Sequence, residues 1–178
     1  MKLPIVLVTA LASMAVALPV QAEILEFNIP LTVSQEPHEV SLPGYPEGVE
    51  PSGVGFITYD TDTNDLSWTI YFAGLTGDLA AAHFHGPAAI GEPAGAIVPI
   101  PTAGGVSGVL AGTDTDTVTD AMETDLLAGL WYVNLHTAEN GAGEIRGQLL
   151  GEPIPEPTVI ALLGIGGMFA LRRRKRIA

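Results

Sequence analysis

Three of the four histidines in this chain fall in two short segments that are rich in other polar chemistry. The first segment is Ala82-His83-Phe84-His85-Gly86-Pro87-Ala88. The second is Tyr132-Val133-Asn134-Leu135-His136-Thr137, followed after a short loop by Gly143-Glu144-Ile145-Arg146-Gly147-Gln148. Side chains alternate across an extended strand, so His83 and His85 share one face while Phe84 takes the other. The same alternation sends Trp131, Val133 and Leu135 inward and leaves Tyr132, Asn134 and His136 on the opposite face. Beyond the loop, Ile145 and Leu149 point inward, and Glu144, Arg146 and Gln148 point outward. Neighbouring strands would then gather three imidazoles, a carboxylate, an amide and an arginine on one exposed sheet face.

Such a face supports two kinds of chemistry. His83, His85 and His136, with Glu144, form a candidate mononuclear site for Zn²⁺ or Cu²⁺, and an exposed face leaves one coordination position open. The same groups can instead bond across strands as a purely structural network. In that reading His136 and Arg146 both meet Glu144, Asn134 meets a loop carbonyl, and Tyr132 and Gln148 extend the polar face. His38, beside Glu36 and Glu39, reads as a solvent residue. Asp60, Asp62, Asn64 and Asp65 are spaced like the start of a calcium loop, but the glycine and distal glutamate of an EF-hand are missing. Weak Ca²⁺ binding there competes with an ordinary polar hairpin tip, and Asp114 and Asp116 are read the same way. No nucleophile elbow, phosphate loop or paired-carboxylate site is visible, and no catalytic residue is assigned.

The elements that must position these residues read as all-β. Leu66, Trp68, Ile70 and Phe72 alternate with Ser67, Thr69 and Tyr71, the period of a half-buried strand. Strands are expected at Glu23–Val33, from Val40, and at Gly53–Tyr59, Leu66–Phe72, Ala80–His85, Ala96–Ile100, Gly105–Ala111, Leu130–Thr137 and Glu144–Leu150. A helix is expected over Asp120–Ala128, with Asp120 and Glu123 as a capping box and Gly129 at C′. Short strands and close turn signals imply a sandwich or barrel. The chain has no cysteine, so the fold cannot rest on disulfides.

The two ends of the chain read as targeting segments. Met1-Lys2, the uncharged apolar run Leu3–Leu18 and Val20-Gln21-Ala22 form a signal peptide over residues 1–22, with signal peptidase cleaving after Ala22. A β domain over 23–150 and a Pro-rich linker over 151–157 follow. Residues 158–178 are expected to form a membrane helix with a basic end. Its apolar run, Thr158–Leu171, is 14 residues long. That is short of the roughly 20 needed to span comfortably, and snorkelling arginines make up part of the deficit. All 20 acidic residues lie between Glu23 and Glu156, against Arg146 alone among basic ones, so this region carries about −19. Nucleic acid and anionic lipid surfaces would repel it.

The C-terminal order Pro155-Glu156-Pro157, short apolar helix, then Arg172, Arg173, Arg174, Lys175 and Arg176 resembles the PEP-CTERM signal of Gram-negative bacteria. That resemblance implies processing by an exosortase, a membrane transpeptidase that cleaves near the motif. It also implies transient anchoring in the inner membrane before the outer envelope or extracellular space. Ala82–Ala88, Leu126–Gly129, Tyr132–Thr137 and Gly143–Gln148 together resemble the CHRD domain over roughly Ile24 to Gly151. The resemblance implies an immunoglobulin-like or Greek-key β-sandwich or barrel. The His-x-His strand is also similar to that of copper–zinc superoxide dismutase, but three motif histidines are too few for its dinuclear site. A cupin resemblance fails too, because the acid after His85 is Glu92, farther along than that family's spacing, and the later half-motif is missing. Two functions are therefore expected from this sequence: a non-catalytic exported module binding a protein or glycan, or a metal-binding protein using the histidine face.

Overall fold

The computed structural model describes residues 24–46 and 48–151. Eight strands form one antiparallel sheet: β1 (Ile24–Thr32), β2 (Ser52–Asp60), β3 (Asp65–Ala73), β4 (Leu79–His85), β5 (Ala96–Ile100), β6 (Gly108–Asp114), β7 (Tyr132–Thr137) and β8 (Ile145–Gln148). Their order is β5-β4-β7-β8-β1-β2-β3-β6, and the two outer strands, β5 and β6, approach each other, so the sheet curls nearly closed. The architecture is all-β, as expected, in a barrel-like form made from one sheet. The signal segment, the linker beyond Gly151 and the sorting helix lie outside the described residues. Among the described residues, no helix is long and apolar enough to cross a membrane.

Alternation builds the core. In β1, Leu25, Phe27, Ile29 and Leu31 are buried while Ile24, Glu26, Asn28 and Pro30 face out. β3 does the same with Leu66, Trp68, Ile70 and Phe72. Phe84 and Trp131, both fully buried, add two large rings, and Phe84 meets Trp68 edge-on at 5.4 Å between centroids. Full burial of such a side chain contributes about 1.5–3 kcal/mol. Pro30, which has no N–H, is tolerated because β1 pairs with β2 along its length but with β8 only at Thr32 and Arg146.

Three expectations need correction. No strand begins at Val40. Pro37, Pro43, Pro46 and Pro51 fix backbone angles and remove donors, and the segment after the 3₁₀ turn Val33–Gln35 is irregular. It forms a strap held by Ser41, whose amide donates to Asn140 Oδ1 (2.8 Å) and whose hydroxyl donates to Glu139 Oε1 (2.9 Å). The strand placed at Gly105–Ala111 runs instead from Gly108 to Asp114. Gly104 and Gly105 turn the chain at positive φ, the carbonyls of Gly105 and Val106 bond to Leu79 and Leu75, and ladder pairing then extends to Asp114 opposite Leu66. The helix, α1 (Asp120–Leu127), is capped by Thr119, whose hydroxyl accepts from the Met122 amide, and not by an Asp120–Glu123 box. Glu123 faces the Tyr59 hydroxyl, and Gly129 takes C′ with positive φ as expected.

Candidate functional site

The register of β4 against β7 sets His83 opposite Asn134 and His85 opposite Tyr132, while β7 against β8 sets Asn134 opposite Arg146 and Tyr132 opposite Gln148. A register shift between Leu79 and Ala81 brings Ala81 opposite His136. The three expected histidines therefore meet. Ring centroids are 5.5 Å apart for His83–His85, 5.3 Å for His83–His136 and 5.5 Å for His85–His136. One ligand nitrogen from each lies within 4.8 Å of the other two.

The hydrogen bonds decide what these nitrogens can do. His85 Nδ1 lies 3.0 Å from the Ala94 carbonyl and His136 Nδ1 lies 3.2 Å from the Gly141 carbonyl. A carbonyl only accepts, so both Nδ1 atoms carry the proton, and in a neutral imidazole both Nε2 atoms are bare. Those two Nε2 atoms face one another at 3.4 Å. Moving one proton to Nε2 merely relocates the clash, setting a bare Nδ1 against a carbonyl. His83 Nδ1 is buried and has no hydrogen-bond partner. Burial lowers the pKa of all three rings, that of His136 to about 4, and neighbouring positive charge adds to the shift at His85 and His136. The cluster is thus three neutral imidazoles with converging lone pairs at neutral pH.

The polar face is not exposed, contrary to expectation. Asn134, His136, Glu144, Arg146 and Gln148 are all buried, because loop 86–95 and the strap cover the sheet. Arg146 holds that loop: Nη1 donates to the Glu92 carbonyl (2.9 Å), and Nη2 to the Ala89 carbonyl (3.3 Å) and Gln148 Oε1 (2.8 Å). Gln148 Nε2 in turn donates to the Ala88 and Gly129 carbonyls. The guanidinium lies 3.5 Å above the Tyr132 ring, and Tyr132 stacks on His85 at 4.9 Å with 13° between planes. The Tyr132 hydroxyl accepts from the Ala94 amide, the residue whose carbonyl orients His85. Arg146, Gln148 and Tyr132 therefore act together to place one carbonyl against one imidazole.

Glu144 does not join the histidines. Its Oε1 accepts from the Thr76 amide (2.6 Å), and Oε2 from the hydroxyls of Thr76 and Thr137 (2.6 Å each) and from Asn140 Nδ2 (3.0 Å). The expected bonds from His136 and Arg146 are replaced because these four neutral donors close around the carboxylate first. Asn134 does reach a loop carbonyl, that of Ala142, at 3.4 Å. The candidate calcium loop uses Asp60 Oδ1 to accept from the amides of Asp62 and Thr63, and Asn64 Oδ1 faces the Tyr59 hydroxyl.

Sequence reasoning missed Glu36. Its side chain is only 1% exposed, both carboxylate oxygens lack a hydrogen-bond partner of good geometry, and His38 Nδ1 stands 3.7 Å away. Burial pushes its pKa up to about 7, which the Arg146 charge and the Asn134 amide only partly offset. His38 is no free solvent residue, because its Nε2 lies 3.1 Å from the Gly143 carbonyl. Nothing in the local pattern Gln35-Glu36-Pro37-His38 marks this acid. The one usable signal was that a lone arginine wants a counter-charge, which does not say which of 20 acids supplies it.

Two family models match the chain. The CHRD domain matches residues 27–149, which include every strand-borne residue of the site. The PEP-CTERM protein-sorting motif matches residues 153–176, which include Pro155, Glu156, Pro157 and the basic cluster Arg172–Arg176. The motif implies processing by an exosortase, with export and transient anchoring in the membrane. No curated protein and no solved structure matches this chain. With most of its length, and all of its polar face, inside the matched span, the chain belongs to the CHRD domain family and carries a PEP-CTERM sorting motif at its C-terminal end.

Proposed function

We propose that this exosortase-sorted extracellular protein uses its CHRD domain to hold one transition-metal ion between His83, His85 and His136. The observation that carries the reading is the pair of Nε2 atoms at 3.4 Å, each on a ring whose Nδ1 already donates to a carbonyl. Two bare acceptors in that position repel unless a cation lies between them. A tetrahedral Zn²⁺ with bonds of about 2.0–2.1 Å places neighbouring nitrogens about 3.4 Å apart. The carbonyl bonds to Nδ1 are the outer partners that fix ring orientation in metal-binding histidines. Low imidazole pKa values favour the ion over a competing proton.

The test uses the full chain, purified without a histidine tag, loaded with Zn²⁺ or Cu²⁺ and freed of loose metal before elemental analysis. One equivalent per chain is expected, with a Tm rise of about 5 °C or more at saturating metal. A His83→Ala/His85→Ala variant should lose both. No stoichiometric metal and no Tm change with either ion would sink the proposal.

One observation favours a second role, as a module binding a protein or glycan. Tyr71 (47% exposed) and Phe56 (49%) meet edge-on on the outer face, where Val54 and Val109 flank Tyr71 in register. Exposed aromatic pairs of this kind mark contact surfaces. Binding of envelope extract components should fall at least tenfold in Phe56→Ala/Tyr71→Ala, and equal binding by this variant would dismiss the role.

A further inference from the structure

We infer that the trihistidine site selects copper, held as Cu(I), over Zn²⁺ and other divalent ions. This rests on the reading that His83, His85 and His136 bind a metal at all, and it concerns which ion the surroundings admit.

The argument is one of charge. All three donors are neutral, so nothing in the donor set cancels the charge of the ion. The carboxylate that sequence alone would have supplied, Glu144, is turned to Thr76, Thr137 and Asn140. The chain has no thiolate to offer. Two of the three rings are buried, and the desolvation cost of an ion in such a place grows with the square of its charge. A divalent ion therefore meets about four times the penalty of a monovalent one.

Arg146 widens the difference. Its guanidinium lies on Tyr132, which lies on His85, so a fixed positive charge sits two ring layers from the ion. Its repulsion doubles for a doubly charged ion. Two acids are buried near this face: Glu144, enclosed by its own donors, and Glu36, which burial leaves partly protonated at pH 7. Most others lie near the surface, where water and salt screen them beyond about 10 Å. Among the small ions that imidazole holds well, Cu(I) combines single charge with a filled d shell that imposes no geometry, so three nitrogens can satisfy it without a fourth protein ligand. Zn²⁺ on three imidazoles must complete its tetrahedron with a water or other outside ligand.

The experiment is a pair of competition titrations on the full untagged chain at pH 7. One is with Cu(I) against a cuprous chelator under reducing, oxygen-free conditions, and the other is with Zn²⁺ against a zinc chelator. Cu(I) is expected to bind one to one, at least 100-fold more tightly than Zn²⁺. Arg146→Met should narrow that ratio at least tenfold by strengthening Zn²⁺ binding. Asn134→Asp, which adds a carboxylate opposite His83 in the ladder, should narrow it in the same way if the arginine variant does not fold. Zn²⁺ bound one to one as tightly as Cu(I) would overturn the selectivity and leave the metal site standing. Failure to bind either ion would overturn both.

Discussion

At the scale of single residues, the groups that set pH behaviour pull in opposite directions. Glu36 has its pKa raised from 4.5 to about 7 by burial, so the folded chain holds that proton more tightly than the unfolded chain does. Its contribution to stability is complete below pH 4.5 and is lost as pH rises through 7. His136 is the reverse case. With its pKa lowered from 6.5 to about 4, its contribution is complete above pH 6.5 and is lost as pH falls towards 4. Without metal, the loss at Glu36 therefore offsets the gain at His136 between pH 4.5 and 6.5 and flattens the Tm profile there. Glu36→Gln, which keeps the shape and cannot ionise, should remove that offset, so that Tm climbs more steeply from pH 4.5 to 6.5. Thermal melts of both proteins in chelator-treated buffers from pH 4 to 8 make the comparison, and an unchanged slope between pH 4.5 and 7 in the variant would clear Glu36 of this role.

At the scale of elements, alternation made the strands readable and also explains what was not. Leu66-Ser67-Trp68-Thr69-Ile70-Tyr71-Phe72 alternates cleanly because one face meets the core and the other meets solvent, so β3 was placed to within a residue at each end. β7 was placed almost as well, and the grouping of His83, His85 and His136 followed from its period. The fate of the outer face did not follow. Alternation tells which residues share a face, but it says nothing about what lies over that face. Here the cover comes from loop 86–95 and from the strap, whose contacts span about a hundred residues, as between Ser41 and Asn140. Glu144 shows the same limit: its parity is right for the histidine face, yet donors from Thr76, far away in sequence, redirect it. Gly143 opens the motif Gly143–Gln148. Its φ of 136° and the crowding of Asn134 and Glu36 around the position a Cβ would take show why that motif begins with glycine.

At the scale of the whole molecule, charge ties the sorting motif to the domain. Between Glu23 and Glu156 the sequence places 20 acids and one arginine, and that arginine is almost completely buried. The exported surface is therefore acidic with no exposed lysine or arginine among the described residues. Such a field gathers cations from solution and repels nucleic acid and anionic lipid, which would favour cation capture at the proposed histidine site. Five of the seven basic residues belong to the segment 172–176, inside the matched sorting motif. Exosortase cleavage near the motif would part these five basic residues from the acidic domain. The mature envelope form should lack the peptide Arg172–Ala178 by mass spectrometry and should focus as a protein of about −19, where the intact chain carries −13. Recovery of that peptide from the mature form would refute processing at the motif.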